Sequence, residues 1–217
     1  MHRVQVVDMC DLIAWSASGA APCALLTGQT GRVPTGVELF LAHLDRLSGG
    51  VEPRFFPLRS THPAMAGVTV IVYEDLPEPG MATGVTYGVS LASHSAWRLG
   101  KPELCTSVRC SDLSWPLAVG HIAETQRGTN PFRSGDTISF GETIAPASPM
   151  TAFAIFAPAV LGRPDYAGID VGGPLTVNIA GLYPIHETER RYIHAHGLKA
   201  FWDLDWDPYD TNRPPAA

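Results

Sequence analysis

The chain is poor in charge: only 17% of its 217 residues are Asp, Glu, Lys or Arg, against 45% hydrophobic residues. That balance excludes disorder over most of the length, because the chain has ample apolar surface to bury. Positive charge is scarcer still, with 15 Lys and Arg against 21 Asp and Glu and a net charge of −6. The basic residues form no cluster, so nothing could neutralise a phosphate backbone and nucleic-acid binding is excluded. No stretch of about 18 uninterrupted apolar residues occurs, which argues against a membrane span.

Cysteine is also rare. The four residues are Cys10, Cys23, Cys105 and Cys110, and no pair has the two-residue spacing of a zinc knuckle or a redox couple. Cys105 and Cys110 fall in a predicted strand at an odd offset, which puts them on opposite faces. They would need a bulge to share a disulfide or a metal. The expectation is four reduced thiols in a cytoplasmic protein. The apolar stretch from Leu12 to Leu26 does not read as an export signal, because Asp8 and Asp11 precede it with only Arg3 to oppose them.

Turn formers are plentiful, with 21 glycines and 19 prolines, so short elements are expected within one large domain. Residues 1–33 read as an irregular segment. Thr35 with Glu38 forms a capping box ahead of helically spaced Val37, Phe40, Leu41, Leu44 and Leu47, and Gly49-Gly50 ends that helix. Strands are predicted at 68–73, 85–91, 103–110, 137–140, 151–156 and 175–180. Further helices are predicted from Ser114 to about Gln126, from Glu187 to His196 closed by Gly197, and over 198–204. Helices at the ends and middle of the order, not after every strand, indicate an α+β fold.

Several segments of this pattern resemble the Suppressor of fused-like domain family. They are Gly84-Val85-Thr86-Tyr87-Gly88-Val89-Ser90, Glu103-Leu104-Cys105-Thr106-Ser107-Val108-Arg109 and Ser134-Gly135-Asp136-Thr137-Ile138. Two closing segments follow in family order: 182–189, carrying Pro184, Glu187 and Glu189, and 192–197, ending on Gly197. The resemblance spans about residues 35–205, and implies a domain at 34–205 followed by an acidic-aromatic tail at 206–217. It further implies a curved mixed β-sheet flanked by helices, without catalytic apparatus or cofactor, and a structural role for the motif positions named. Eukaryotic members restrain a transcription factor by clamping a peptide as an added strand. The chain is similar to the stand-alone bacterial form, which implies an immunity protein that binds and neutralises a toxin.

No cluster of catalytic or metal-binding residues competes with that reading. Gly88-Val89-Ser90-Leu91-Ala92 is a near miss to a nucleophile elbow, and leaves as the enzyme alternative a serine hydrolase using Ser90 with His94, or another His, as base. An oligomerising module is a third possibility. His186-Glu187-Thr188-Glu189-Arg190 lacks the second histidine of a zinc helix, and His194 and His196 lie about 200° apart on a helix. Thr27-Gly28-Gln29-Thr30-Gly31-Arg32 lacks the residues of a phosphate loop. Glu103 and Arg109 are expected to be solvated or paired locally, about 20 Å apart along one strand face. The tail interleaves Trp202, Asp203, Asp205, Trp206, Asp207, Tyr209 and Asp210, aromatic anchors with charge that would steer a basic partner such as a toxin domain. Trp97 is a further candidate anchor. Contact through this patch or through strand addition at a sheet edge are the two routes expected.

Overall fold

The structure, a computed structural model, describes residues 32–217. The readings made above for Cys10, Cys23, the 12–26 stretch and nearly all of the 1–33 segment therefore lie outside the described residues. Pro34–Ala217 forms one compact unit.

Helix α1 (Gly36–Ser48) begins as its sequence predicts: Thr35 and Glu38 form the reciprocal capping box, and Gly49 closes the helix in the left-handed region. Strand β1 (Arg54–Pro57) and then β2 (Thr69–Glu74), β3 (Ala82–Tyr87) and β4 (Lys101–Val108) follow. Helix α2 (Ser114–Gln126), β5 (Thr137–Ser139), β6 (Ala152–Phe156) and the single turn α3 (Arg163–Tyr166) come next. The described chain closes with β7 (Val177–Ile185), α4 (Glu187–His196) and α5 (Leu198–Trp202).

All seven strands join one open sheet in the order β1-β2-β3-β4-β7-β6-β5. The β4–β7 pair is parallel and the others are antiparallel, so the sheet is mixed and the α+β expectation holds. Alternation of side chains assigns the layers. Leu104, Val108, Phe153 and Ile155 pack with Trp115, Val119 and Ile122 of α2 on one face. Ile71, Tyr73, Val85, Cys105 and Ile179 pack with Phe40 and Leu44 of α1 on the other. On that second face Ile185, Ala152 and Ala154 meet Ile193 of α4 and Phe201 of α5. Glycine is required where α2 touches the sheet: a Cβ on Gly84 would lie 2.4 Å from the Pro116 Cβ, and one on Gly120 2.2 Å from Val70 Cγ2.

Four elements depart from expectation. β1 was not anticipated as a strand, because three residues between Pro53 and Pro57 give no alternation to read. The second strand ends at Tyr87, not Leu91, since Gly88 turns the chain with φ 133°. Ser114 does not cap α2; the Asp112 carboxylate accepts from its N–H at 2.9 Å instead. β7 runs on past Ala180 to Ile185 and contains Pro184. Pairing with β4 stops at Cys105 opposite Gly181, so Pro184 has one unpaired flank where a missing N–H breaks no ladder bond.

Candidate protein-binding site

Residues 88–100, between β3 and β4, form the longest connection in the centre of the sheet and are fixed from beneath by one side chain. Glu103 on β4 is completely buried. Its Oε1 accepts from Gly88 N at 2.8 Å, Ser90 N at 3.0 Å and Ser90 Oγ at 2.6 Å. Its Oε2 accepts from Thr86 Oγ1 at 2.7 Å and Val89 N at 3.3 Å. Burial pushes the Glu103 carboxyl above its ordinary range, and the Ser90, Gly88 and Thr86 donors pull it part of the way back. The expectation that Glu103 is solvated or paired locally is therefore wrong, because the turn after β3 delivers its N–H groups onto the β4 side chain.

Other contacts hold the remainder. Lys101 Nζ donates to Ser90 O at 2.9 Å and Ala92 O at 3.0 Å. Trp97 is buried, donates from Nε1 to Pro131 O at 3.1 Å and touches the His94 ring. Arg127, just past the end of α2, reaches Gly88 O and Ala66 O, and pairs with buried Glu124. With its polar backbone anchored inward, the loop shows apolar side chains outward: Leu99 is 93% exposed and Leu91 46%. These two side chains give the anchored loop an outward apolar surface that a partner could cover.

The hydrolase alternative calls for a histidine at Ser90, and the structure places the Glu103 carboxylate there instead. Its Oγ donates to Glu103, while His94 Nδ1 accepts from Ala96 N at 3.0 Å. Among the described residues no group of three or more His, Cys, Asp or Glu could hold a metal ion. Cys105 is buried with its thiol pushed up to about 12 by burial, and Cys110 lies just past the strand.

The tail lies far from the loop along β4. Arg109 N donates to Tyr209 O at 2.8 Å where β4 and β7 splay, and the Arg109 guanidinium pairs with Asp207 and, at 3.7 Å, Glu78. Arg109 is thus paired, but with a residue 98 positions away. Trp206 packs on Phe201 and Trp202 and lies under the Arg213 guanidinium. Asp203 pairs with Lys199, and Asp205 is exposed. Of the five predicted contact residues, Trp97 is spent on packing and the other four gather at the tail.

A protein-family model described as Suppressor of fused protein (SUFU) matches residues 65–214. The chain belongs to this family. The match ends later than residue 205 and takes in residues 206–214 of the tail. The fold is similar to that of a Neisseria gonorrhoeae FA 1090 protein described as a Suppressor of fused homologue. That pair has 19% identity and a TM-score of 0.66, covering 82% of this chain and 95% of the other. A Sufu–Fu complex structure matches at 12% identity and TM-score 0.65, covering 85% and 93%. Drosophila Suppressor of Fused matches at 11% identity and TM-score 0.63 over 84% of this chain, but only 51% of that protein. No curated protein sequence matches.

The family motif positions occupy the framework. Tyr87 packs tilted against Phe40, with ring centroids 5.4 Å apart. Gly88, Ser90 and Glu103 make the loop anchor. Gly135, with φ 96°, donates to Ile155 O, and the Asp136 carboxylate accepts from Arg133 N. Glu187 pairs with Arg190 and Arg191. Glu189, in the first turn of α4, is completely buried and paired with Arg213. Gly197 separates α4 from α5 with φ 86°. Sequence reasoning missed Leu91 and Leu99 as candidate contacts. No local pattern sets them apart from other loop leucines until the contacts that anchor the loop are known.

Proposed function

We propose that this Suppressor of fused domain acts by binding, not catalysis. Its partner is a toxin domain that it neutralises by covering the toxin's active surface, and the gripping element is the 88–100 loop. The observation that carries this reading is the exposed pair Leu91 and Leu99, 46% and 93% exposed, on a loop whose backbone at Gly88, Ser90 and Ala92 is tied to Glu103 and Lys101. Such a loop loses little freedom on binding, which favours affinity. The sheet edges are poorer docking sites. β5 spans three residues, and β1 spans four, including Pro57 and ion-paired Arg54, both features that discourage added strands. The net charge of −6 suits a cationic partner.

The test is co-expression with the product of the neighbouring gene, scoring growth and co-purification. Rescue of growth with a stable complex is expected, and Leu99→Asp should abolish both while the variant stays folded. A neighbour that is harmless and does not co-purify overturns the toxin reading. A complex indifferent to Leu99→Asp and Leu91→Asp overturns the loop as the contact.

A further inference from the structure

The aromatic side chains at the tail form a ladder with unlike ends. Phe156 at the end of β6 lies 5.0 Å from Trp202, which meets Trp206 edge-on at 5.3 Å. At the inner end the Arg213 guanidinium sits 4.6 Å from the Trp206 ring centroid, so that end already holds a cation. At the outer end Phe156 is 37% exposed and Trp202 half-buried. Asp203 and Asp205 alternate with these rings in the chain. Lys199, the partner of Asp203, is a largely exposed side chain one helical turn away, and Asp205 is exposed.

We infer that the outer end of this ladder, Phe156 and Trp202, receives a guanidinium or ammonium side chain from a basic segment of the partner protein. The inference rests on the reading of the domain as a binding module and adds a second contact, separate from the loop. Two features carry it. Ring faces attract cations, most strongly when partly desolvated, and Arg213 over Trp206 shows this chemistry at the other end of the same ladder. The local charge is complementary: residues 203–210 hold four aspartates and no Lys or Arg. Only Asp207 is committed to a framework cation, Arg109. An incoming arginine would displace Lys199 from Asp203, exchanging one solvated ion pair for another while gaining the ring contact.

The experiment titrates the full chain with a hexa-arginine peptide at low salt, following tryptophan fluorescence and calorimetry. Saturable binding is expected, weaker for hexa-lysine and absent for hexa-glutamate. Trp202→Leu should weaken it roughly tenfold. Phe156→Ala, at a more exposed position, should weaken it to a similar extent if Trp202→Leu does not fold. Asp205→Asn should lower affinity roughly threefold, and Leu99→Asp should leave it unchanged. No binding of hexa-arginine, or equal binding by the folded Phe156→Ala variant, overturns the inference. A neighbouring-gene complex that forms while the peptide fails would remove the ladder and spare the binding module. Peptide binding without such a complex would do the reverse.

Discussion

Two glutamates, Glu103 and Glu189, lose all contact with water in this fold, yet each is satisfied in a different way. Glu103 meets no cation: Thr86, Gly88, Val89 and Ser90 supply five N–H and O–H donors from one short stretch. Glu189 pairs with Arg213 through both guanidinium nitrogens, and also accepts from His186 N and Ala216 N. The first carboxylate shapes a local turn and sets the direction in which the 88–100 loop faces. The second fastens the end of the chain to the start of α4. A carboxylate satisfied by dipoles can be neutralised by a single proton, whereas one satisfied by an arginine leaves a stranded charge if its partner goes.

The largest expected effect follows from that asymmetry. Arg213→Ala should destabilise the domain by about 3–5 kcal/mol, because the buried Glu189 charge loses its cation. Replacing both partners together, as Arg213→Met with Glu189→Leu, should recover most of the loss and leave about 1–2 kcal/mol for the stranded His186 and Ala216 amides. Chemical denaturation of the two variants checks this. A double variant no better than the single one would show that the pair orders the tail in some other way.

Glu103→Gln should cost less, about 2 kcal/mol. The amide keeps one acceptor oxygen and turns its NH2 group toward N–H donors that had a carboxylate oxygen. Hydrogen-exchange protection at Gly88, Val89 and Ser90 should fall first, and partner affinity with it, while the α4–tail contact stays protected. The acid limb separates the two carboxylates further. The Glu103 carboxyl is raised by burial, so its stability contribution is fully present below the unfolded value near 4.5 and is lost as pH rises through its folded value. Acidification thus favours folding through this group, and Glu103→Gln should lose stability more steeply than the parent as pH falls. Parallel acid limbs would mean that Glu103 keeps an ordinary carboxylate range.

What the sequence discloses about these regions tracks how local their interactions are. Helix α1 is legible to its caps because Thr35, Glu38 and Gly49 act within a few residues of one another. The α4 boundaries and the order of strands from β2 to β7 are readable for the same reason, through composition and turn residues. Neither buried glutamate is legible: Glu103 finds its donors 13 to 17 residues back, and Glu189 finds Arg213 24 residues ahead. On the candidate site the outcome divides likewise. The tail aromatics stand out from composition, but their framework role depends on the splay of β4 from β7, which no local pattern encodes. Leu99 gives no signal because one leucine in a loop looks like any other until the loop's anchors are known.

At the loop itself, Leu99→Asp should change stability by less than about 0.5 kcal/mol, since the side chain touches little in the free protein. Its effect belongs to binding alone, which makes it the cleanest separation of the Glu103 region's two roles, shaping the loop and presenting it.

The smallest effect is expected at Glu187, two residues from Glu189 and opposite to it in environment. Arg190 hydrogen bonds hold the Glu187 carboxyl down at about 2, with Arg191 helping. Because its folded value lies below the unfolded one, its contribution is present above about pH 4.5 and disappears as pH falls toward 2. The group is solvated, so screening reduces the gain to that of an ordinary surface pair. Glu187→Gln should therefore flatten the acid limb slightly, with the opposite sign to Glu103→Gln, and the difference should vanish in high salt. A salt-independent loss of the size expected at Arg213 would instead place Glu187 in the same buried network as Glu189, and the contrast between solvated and buried acids on α4 would fail.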